Sequence, residues 1–346
     1  MKVSELGEFG LIEVLNKMVL EAGVGVRDDL DPLDIRSGLM IGIGDDAAVW
    51  RPMGYMELVT TDTMVQDIHF KIGFGSWEDV GWKALAVNIS DIAAMGGEPT
   101  YSLITLGLPL DTELDNITEL YNGLIQASKD YGVAIAGGDI VRSSSFMITV
   151  ALMGRAVITE NGDRDILLRS TAAPGDLVAV TGFLGSSAGG LRCLQGQGNG
   201  NKEEIDYLTR SHMRPTPRII EGQAAVSAGV KCGLDISDGT VADLSKLCAA
   251  SGVSAVLDSL SLPVHDSLKS VFPKEWLSLA LYGGEDYELL FTASETNIYV
   301  LRDHTKTPIA VIGHIEAGKS GAVTVIGEDG EAILWEGGGW DHLRNR

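Results

Sequence analysis

The sequence predicts a two-domain α/β (α+β) protein, on three observations. The chain has 346 residues, more than one compact domain usually holds. Its first half reads β-β-β-α-β-α-β-β, which suggests helices packed on one face of a mixed sheet. A polar segment, 158–173, then leads into a second half that again alternates strands and helices. The expected domains are 1–157 and 158–346.

Each element rests on its own pattern. Phe9 to Val19 carries Leu11, Ile12, Leu15, Met18 and Val19 on one helical stripe, and 21–38 is acidic and loop-like. Strands are expected at about 39–43, 47–51 and 56–61, then a helix from Trp77 to Met95 that Gly96-Gly97-Glu98-Pro99 stops. A strand at 101–108 precedes a helix with Ile117, Leu120, Tyr121, Leu124, Ile125 and Tyr131 on one side. Strands at 133–136 and 146–157 complete this half. The second half offers a strand at 177–181, a glycine-rich turn and short helix at 182–190, and a Gln/Gly/Asn loop at 195–203. The basic stretch Arg210–Arg218 reads as a turn and helix start. A helix then runs through Val241, Leu244 and Leu247, followed by strands at 287–292 and 309–312 and a hairpin at 328–330.

Composition narrows the partners. A formal net charge of −22 argues against a nucleic-acid backbone and mainly favours solubility. The three cysteines, Cys193, Cys232 and Cys248, form no CxxC pair and suit a reducing compartment. No signal peptide is visible at Met1-Lys2-Val3-Ser4-Glu5, and no apolar run reaches the roughly 18 residues that cross a bilayer. A soluble cytoplasmic protein is the expectation.

Acidic residues recur beside small residues and apolar runs: Gly44-Asp45-Asp46, Thr60-Thr61-Asp62-Thr63, Asn88-Ile89-Ser90-Asp91, Gly137-Gly138-Asp139, Asp235-Ile236-Ser237-Asp238-Gly239 and Gly283-Gly284-Glu285-Asp286. Read as turns, these would gather carboxylates that repel one another unless cations lie between them. Mg²⁺ takes oxygen ligands and needs one or two carboxylates per ion beside substrate phosphates. Asp46, Asp62, Asp91, Asp139, Asp235 and Asp238 supply carboxylates for several ions, and Thr60, Thr61 and Ser237 add neutral oxygens. Asn88 and Asp91 interrupt an otherwise apolar helix face, so they form a solvent stripe, a cap, an internal hydrogen bond or a site.

Other chemistries lack their residues. No HExxH occurs and the six histidines are scattered, so a zinc site is not expected. No GxSxG elbow or Cys–His pairing supports acyl transfer. Gly313-His314-Ile315-Glu316-Ala317-Gly318-Lys319-Ser320 matches GxxxxGK[ST], but the alternating Ala322-Val323-Thr324-Val325-Ile326 follows where a P-loop needs a helix. Phosphoryl transfer by positioning and metal neutralisation remains.

Taken together, the GDD, NxSD and DxSDG blocks, His69-Phe70, Pro174-Gly175-Asp176, Gly283–Glu288 and Trp340-Asp341-His342 resemble the thiamine-monophosphate kinase family, in order over nearly the whole chain. That family belongs to the superfamily of aminoimidazole ribonucleotide synthetase, selenophosphate synthetase and the hydrogenase-maturation dehydratase. The resemblance implies the two-domain synthetase-superfamily fold, with the N-terminal mixed sheet forming a homodimer and a C-terminal α/β domain completing the site. It implies ATP as co-substrate, several Mg²⁺ ions and in-line phosphoryl transfer to thiamine monophosphate. By that resemblance Asp46, Thr60, Thr61, Asp62, Asp91, Asp139, Asp235 and Asp238 are metal ligands, with Asp62, Asp91 and Asp139 central to catalysis. Asp45 then serves the turn or supports the ligands around it. Gly138, Asp139, Arg169 and Ser237 match nucleotide contacts, and His69, Glu285 and Trp340 match thiamine-phosphate contacts. Two rivals stand beside this reading: a sister ATP-dependent synthetase, and a non-catalytic nucleotide or metal binder that kept the fold. The first cysteine, Cys193, lies far from the N-terminal position a selenide enzyme uses.

Overall fold

The computed structural model describes residues 39–41, 48–50, 56–157 and 165–333. The expected helix at Phe9–Val19, the segment 26–35, Asp45, Asp46 and Trp340 lie outside the described residues.

The first half follows the expected order: β1 (Leu39–Ile41), β2 (Ala48–Trp50), β3 (Glu57–Val65), α1 (Trp77–Ala94), β4 (Gly97–Leu108), α2 (Leu114–Tyr131), β5 (Ala134–Arg142) and β6 (Met147–Ala156). Its six strands lie in the order β1-β2-β3-β6-β4-β5. β4 and β5 run parallel and the other neighbours antiparallel, so the sheet is mixed. Side chains alternate along a strand, and Leu58, Ile104, Leu106, Ile148, Val150 and Leu152 all point into one core with Leu85, Ile89 and Ile92 of α1 and Leu120 and Leu124 of α2.

Two expectations about strand ends are corrected. Thr61-Asp62-Thr63 and Gly137-Gly138-Asp139 are not turns, because β3 runs nine residues through Val65 and β5 runs through Asp139 to Arg142. Full antiparallel pairing of Glu57–Val65 with Met147–Arg155 holds the polar residues in the ladder, where local propensity alone favours a turn.

The second half contains β7 (Leu177–Thr181), α3 (Ser186–Leu194), α4 (Lys202–Met213), α5 (Ile219–Ser227), β8 (Cys232–Asp235), α6 (Thr240–Ser251) and β9 (Ser254–Asp258). It continues with α7 (Asp266–Val271), α8 (Trp276–Tyr282), β10 (Leu289–Ala293), α9 (Glu295–Asp303), β11 (Ile309–Glu316), β12 (Val323–Ile326) and β13 (Ala332–Ile333). Its seven strands are ordered β13-β12-β9-β11-β7-β10-β8. The helix α4, capped reciprocally by Asn201 and Glu204, takes up residues that sequence reasoning assigned to a loop and a turn. The Walker-like segment is divided between β11 and a turn into β12, and Lys319 lies on no helix.

The central element is α1. Ser76 and Asp79 cap it reciprocally, and every residue from Val80 to Ser90 is buried. A helix buried all round has no solvent stripe; α1 packs on the first sheet, on α2 and, through Ala93 and Ala94, in a core with Leu167, Ala179, Val226 and Phe291 of the second half. Arg214 adds a polar clasp across the same junction. It donates to Glu78 at 2.8 Å, to Asp79 at 2.5 Å and to Gln126 at 2.9 Å, and stacks over Trp82.

A candidate acidic active site between the two halves

β3 and α1 build the first wall. Asn88 is fully buried; its amide donates to the Ala84 carbonyl and its Oδ1 accepts from the Asp62 amide at 3.0 Å. The side chain therefore pins the strand at Asp62 to the helix. One turn on, Thr60 Oγ1 donates to Asp91 Oδ2 at 2.5 Å. Of the readings open for this polar pair, the internal hydrogen bond holds for Asn88, while Asp91 accepts from Thr60 and lies near Asp62 and Asp235 at the junction of the halves.

β8 brings the second wall. Asp235, at its C-terminal end, is 3% exposed and accepts from Ser90 Oγ at 2.7 Å. Burial pushes the Asp235 carboxyl up to about 6, against the Ser90 hydrogen bond and the nearby Arg169 guanidinium. Asp91 is raised well above the ordinary carboxyl range, first by burial and then by the charges of Asp62 and Asp235. Three carboxylates from β3, α1 and β8 thus crowd one crevice and repel one another.

The loops after β8 and α8 cross over this crevice. The Glu285 amide donates to the Ser237 carbonyl at 2.8 Å and the Tyr287 amide to the Ile236 carbonyl at 2.9 Å. Gly284 must be glycine for this crossing, since a Cβ there would lie 2.5 Å from the Ser237 carbonyl oxygen. Among the described residues the non-glycine positions with positive φ are Asp67 (64°), Glu285 (67°) and Tyr287 (51°). All three sit in turns bearing candidate substrate residues, where such strain tends to collect. Asp286, between two of them, accepts from the Gly185 and Ser187 amides at 2.6 and 3.0 Å, and burial pushes its carboxyl up to about 7.

Glu285 lies 2.8 Å from Lys83 Nζ and 3.5 Å from His212 Nδ1. Burial raises its carboxyl, but Lys83, His212 and His69 together outweigh that and hold it below its usual range. His212 is pushed down to about 4 by burial and by Lys83, so it is neutral at pH 7 and bonds Ser187 Oγ at 3.0 Å. His69 accepts the Val65 amide at Nδ1, which leaves Nε2 to carry its proton. The Tyr287 phenol is raised well above its usual range by burial and by the charges of Glu285, Asp62, Asp235 and Asp91.

Not every expected residue joins. Thr61 alternates to the other face of β3 from Thr60 and Asp62, and its side chain is exposed. Asp139 pairs with Thr105, in the row that continues through Thr149 to Thr63; the Asp62 row runs through Val150 and Ile104 to Gly138. The Asp139 carboxylate is exposed and accepts the Ile140 amide at 2.8 Å, so its side chain is not drawn to Asp62. Gly138 passes so close to β4 that a Cβ would stand 1.7 Å from the Ile104 carbonyl oxygen. Asp238 is ion-paired with Lys246. Lys83, His212, Tyr287, Asn88, Ser90 and Asp243 join the site without having been singled out as ligands. Lys83 carried a usable signal, a charged residue inside an apolar helix run, whereas His212 and Asp243 had none before their helices were placed.

Thr60, Asp62, Asp91, Asp235, Ser90 and Ser237 offer hard oxygen donors of the kind Mg²⁺ takes. Among the described residues no three His, Cys, Asp or Glu side chains converge enough to hold an ion alone.

The two halves match family models described as the N-terminal domain (residues 44–156) and the C-terminal domain (173–326) of AIR synthase related proteins. The fold is that of this class. The chain belongs to the thiamine-monophosphate kinase family within it. It is 38% identical over 315 residues to the Bacillus subtilis thiamine-monophosphate kinase, covering 89% of this chain and 95% of that one. It is 36% identical over 350 residues to the Aquifex aeolicus kinase, covering 99% and 100%. The solved structure described as AaThiL complexed with AMPPCP and TMP superposes with a TM-score of 0.81 at 33% identity over 99% of each chain. Hydrogenase maturation protein HypE in complex with ATP, at 20% identity, TM-score 0.64 and 84% and 87% coverage, shares the fold.

Proposed function

We propose that this chain transfers the γ-phosphoryl group of ATP to the phosphate of thiamine monophosphate, giving thiamine diphosphate. The observation that carries the reading is that the loop bearing Glu285, paired with Lys83, is hydrogen-bonded to the turn that follows Asp235, one of three mutually repelling carboxylates. Donor and acceptor phosphates then meet in one crevice. Family membership, and a relative solved with AMPPCP and TMP along its full length, support the choice of substrates.

Magnesium supplies charge neutralisation between the two phosphate groups when bound. Asp62, Asp91 and Asp235, with Thr60, are the residues that would hold it, and Asp46, Asp139 and Asp238 are further ligands by family resemblance. Arg169, whose charge acts on Asp235, would take phosphate oxygens, and Gly138 and Ser237 would border the nucleotide. Glu285 and His69 would receive the thiamine portion, with Trp340 as an aromatic partner. The acceptor oxygen is already anionic at neutral pH, so positioning replaces a strong general base.

The N-terminal half would carry the dimer contact and most metal ligands, and the C-terminal half would complete the nucleotide and substrate site. The sheet face away from α1 exposes Tyr101 (58%) and Leu103 (38%), apolar surface suited to a second copy of the chain. Among the described residues no helix is long and apolar enough to cross a membrane, and Cys193, Cys232 and Cys248 are free thiols. Both suit a cytoplasmic enzyme.

Incubating the protein with ATP, Mg²⁺ and thiamine monophosphate should yield thiamine diphosphate and ADP in equal amounts. ADP release driven by formylglycinamidine ribonucleotide, with none driven by thiamine monophosphate, would refute the reading.

A further inference from the structure

The turn Asp235–Gly239 contains an anion cradle that the chain fills itself. The amides of Ser237, Asp238 and Gly239 all donate to one oxygen, Asp243 Oδ2, at 3.0, 2.9 and 3.1 Å. Successive amides aimed at a single point, at the start of a helix, form the kind of nest that takes a phosphate in many nucleotide sites. Here the first turn of α6 returns its own carboxyl, 3% exposed, into that nest. Its other oxygen, Oδ1, receives Lys246 Nζ at 2.9 Å, and the same ammonium pairs with Asp238.

We propose that Asp243 and Lys246 are the positioning residues of this turn: Asp243 sets its backbone, and Lys246 holds Asp238 until a divalent cation takes that place. The nest is closed to phosphate, so the turn meets the nucleotide through the Ser237 hydroxyl and the Asp235 and Asp238 carboxylates. The backbone carbonyls of Ile236 and Ser237 are turned outward, where they accept the Tyr287 and Glu285 amides. Asp243 therefore sets the backbone of the Asp235–Gly239 turn, whereas the Glu285 side chain is held by Lys83 and His212. The inference rests on the proposed nucleotide reading of the turn, and its tests read binding rather than turnover.

In Asp243→Asn the side-chain NH₂ cannot accept, so one rotamer presents a donor to three donors and the other loses the Lys246 partner. Binding of AMPPCP should weaken about tenfold or more, roughly the 1.4 kcal/mol that one factor of ten represents. Binding of thiamine monophosphate alone should stay within about twofold, because Lys83 and His212 hold Glu285 independently. A merely structural role would weaken both ligands together. Unchanged AMPPCP affinity, or equal loss of both ligands, overturns the role of Asp243.

Lys246→Met keeps the amide nest occupied and guards against a variant that fails to fold. Removing the ammonium should tighten Mn²⁺ binding to the nucleotide-free protein severalfold, read by electron paramagnetic resonance. Unchanged or weaker Mn²⁺ binding overturns the exchange at Asp238. Failure of the thiamine-monophosphate assay with these binding shifts intact would instead fault the choice of acceptor.

Discussion

Lys83 and Glu285 meet across the junction of the two halves, Nζ to Oε1 at 2.8 Å, with the lysine 2% exposed on a helix otherwise lined with apolar side chains. An ammonium buried this deeply needs its partner, and the partner is the residue proposed to face the acceptor. One contact thus joins folding to substrate recognition.

Lys83→Met should uncouple the two. Breaking a buried pair from one side costs about 3 kcal/mol, and the freed Glu285 loses its orientation. The KM for thiamine monophosphate should rise about tenfold or more while the KM for ATP changes little. A parallel rise in both constants would argue against this division of the crevice.

Asp91→Asn removes one of three mutually repelling carboxyls and keeps an acceptor for Thr60. Without divalent cations the variant should melt several degrees above the parent, since relief of repulsion favours the folded state. With Mg²⁺ the order should reverse, and phosphoryl transfer should fall at least about a hundredfold, as for loss of a strong electrostatic contribution. Near-normal turnover would contradict a ligand role.

Burial pushes the Asp286 carboxyl up to about 7 in the folded chain, from the roughly 3.9 of an aspartate in water. The folded form therefore binds a proton more tightly than the unfolded one, and stability falls as pH rises between those two values. Melting of the metal-free protein between pH 5.5 and 7.5 should show this decline, and Asp286→Asn should flatten it. A melting temperature that rises across that window would contradict the assignment.

Gly284→Ala forces a Cβ to within 2.5 Å of the Ser237 carbonyl oxygen, backbone against backbone. The crossing of the two loops cannot relax by moving a side chain. Turnover should drop sharply, with a loss of stability of about 1–3 kcal/mol. Gly73→Ala, at a glycine with open space around it and φ of 91°, separates steric from conformational cost and should spare the site.

Arg214 makes charge-assisted bonds to Glu78 and Asp79 and covers Trp82. Arg214→Lys cannot reproduce the fork, and chemical denaturation should report a loss of about 2 kcal/mol. Equal stability of the two proteins would show that the clasp is incidental.

Much of the site was legible because its residues contradict their surroundings. Asn88 and Asp91 on an apolar helix, and Glu285 after two glycines, announce themselves without a structure. The strand of the first half that carries Asp62 was read too short, because a run of threonines and an aspartate looks like a turn until a partner strand supplies its hydrogen bonds. Thr61 illustrates the cost of that misreading: in a turn its hydroxyl lies near Asp62, whereas in a ladder it faces the other way. Asp139 likewise stands one residue of register from the Asp62 row, in the row of Thr63. Asp243 was invisible for a different reason, since only the closed turn reveals three amides pointing at one oxygen.

The helix Trp77–Ala94 has a consequence for motion. It carries Lys83, Asn88, Ser90 and Asp91, and it is enclosed by side chains from both sheets. A hinge between the halves would have to slide this rod out of one core or the other, exposing fully buried Ile89, Ile92 and Ala93 to water. Catalysis in such a body proceeds with the carboxylate walls fixed. Heating should accordingly take the metal-free chain apart in one cooperative step rather than half by half.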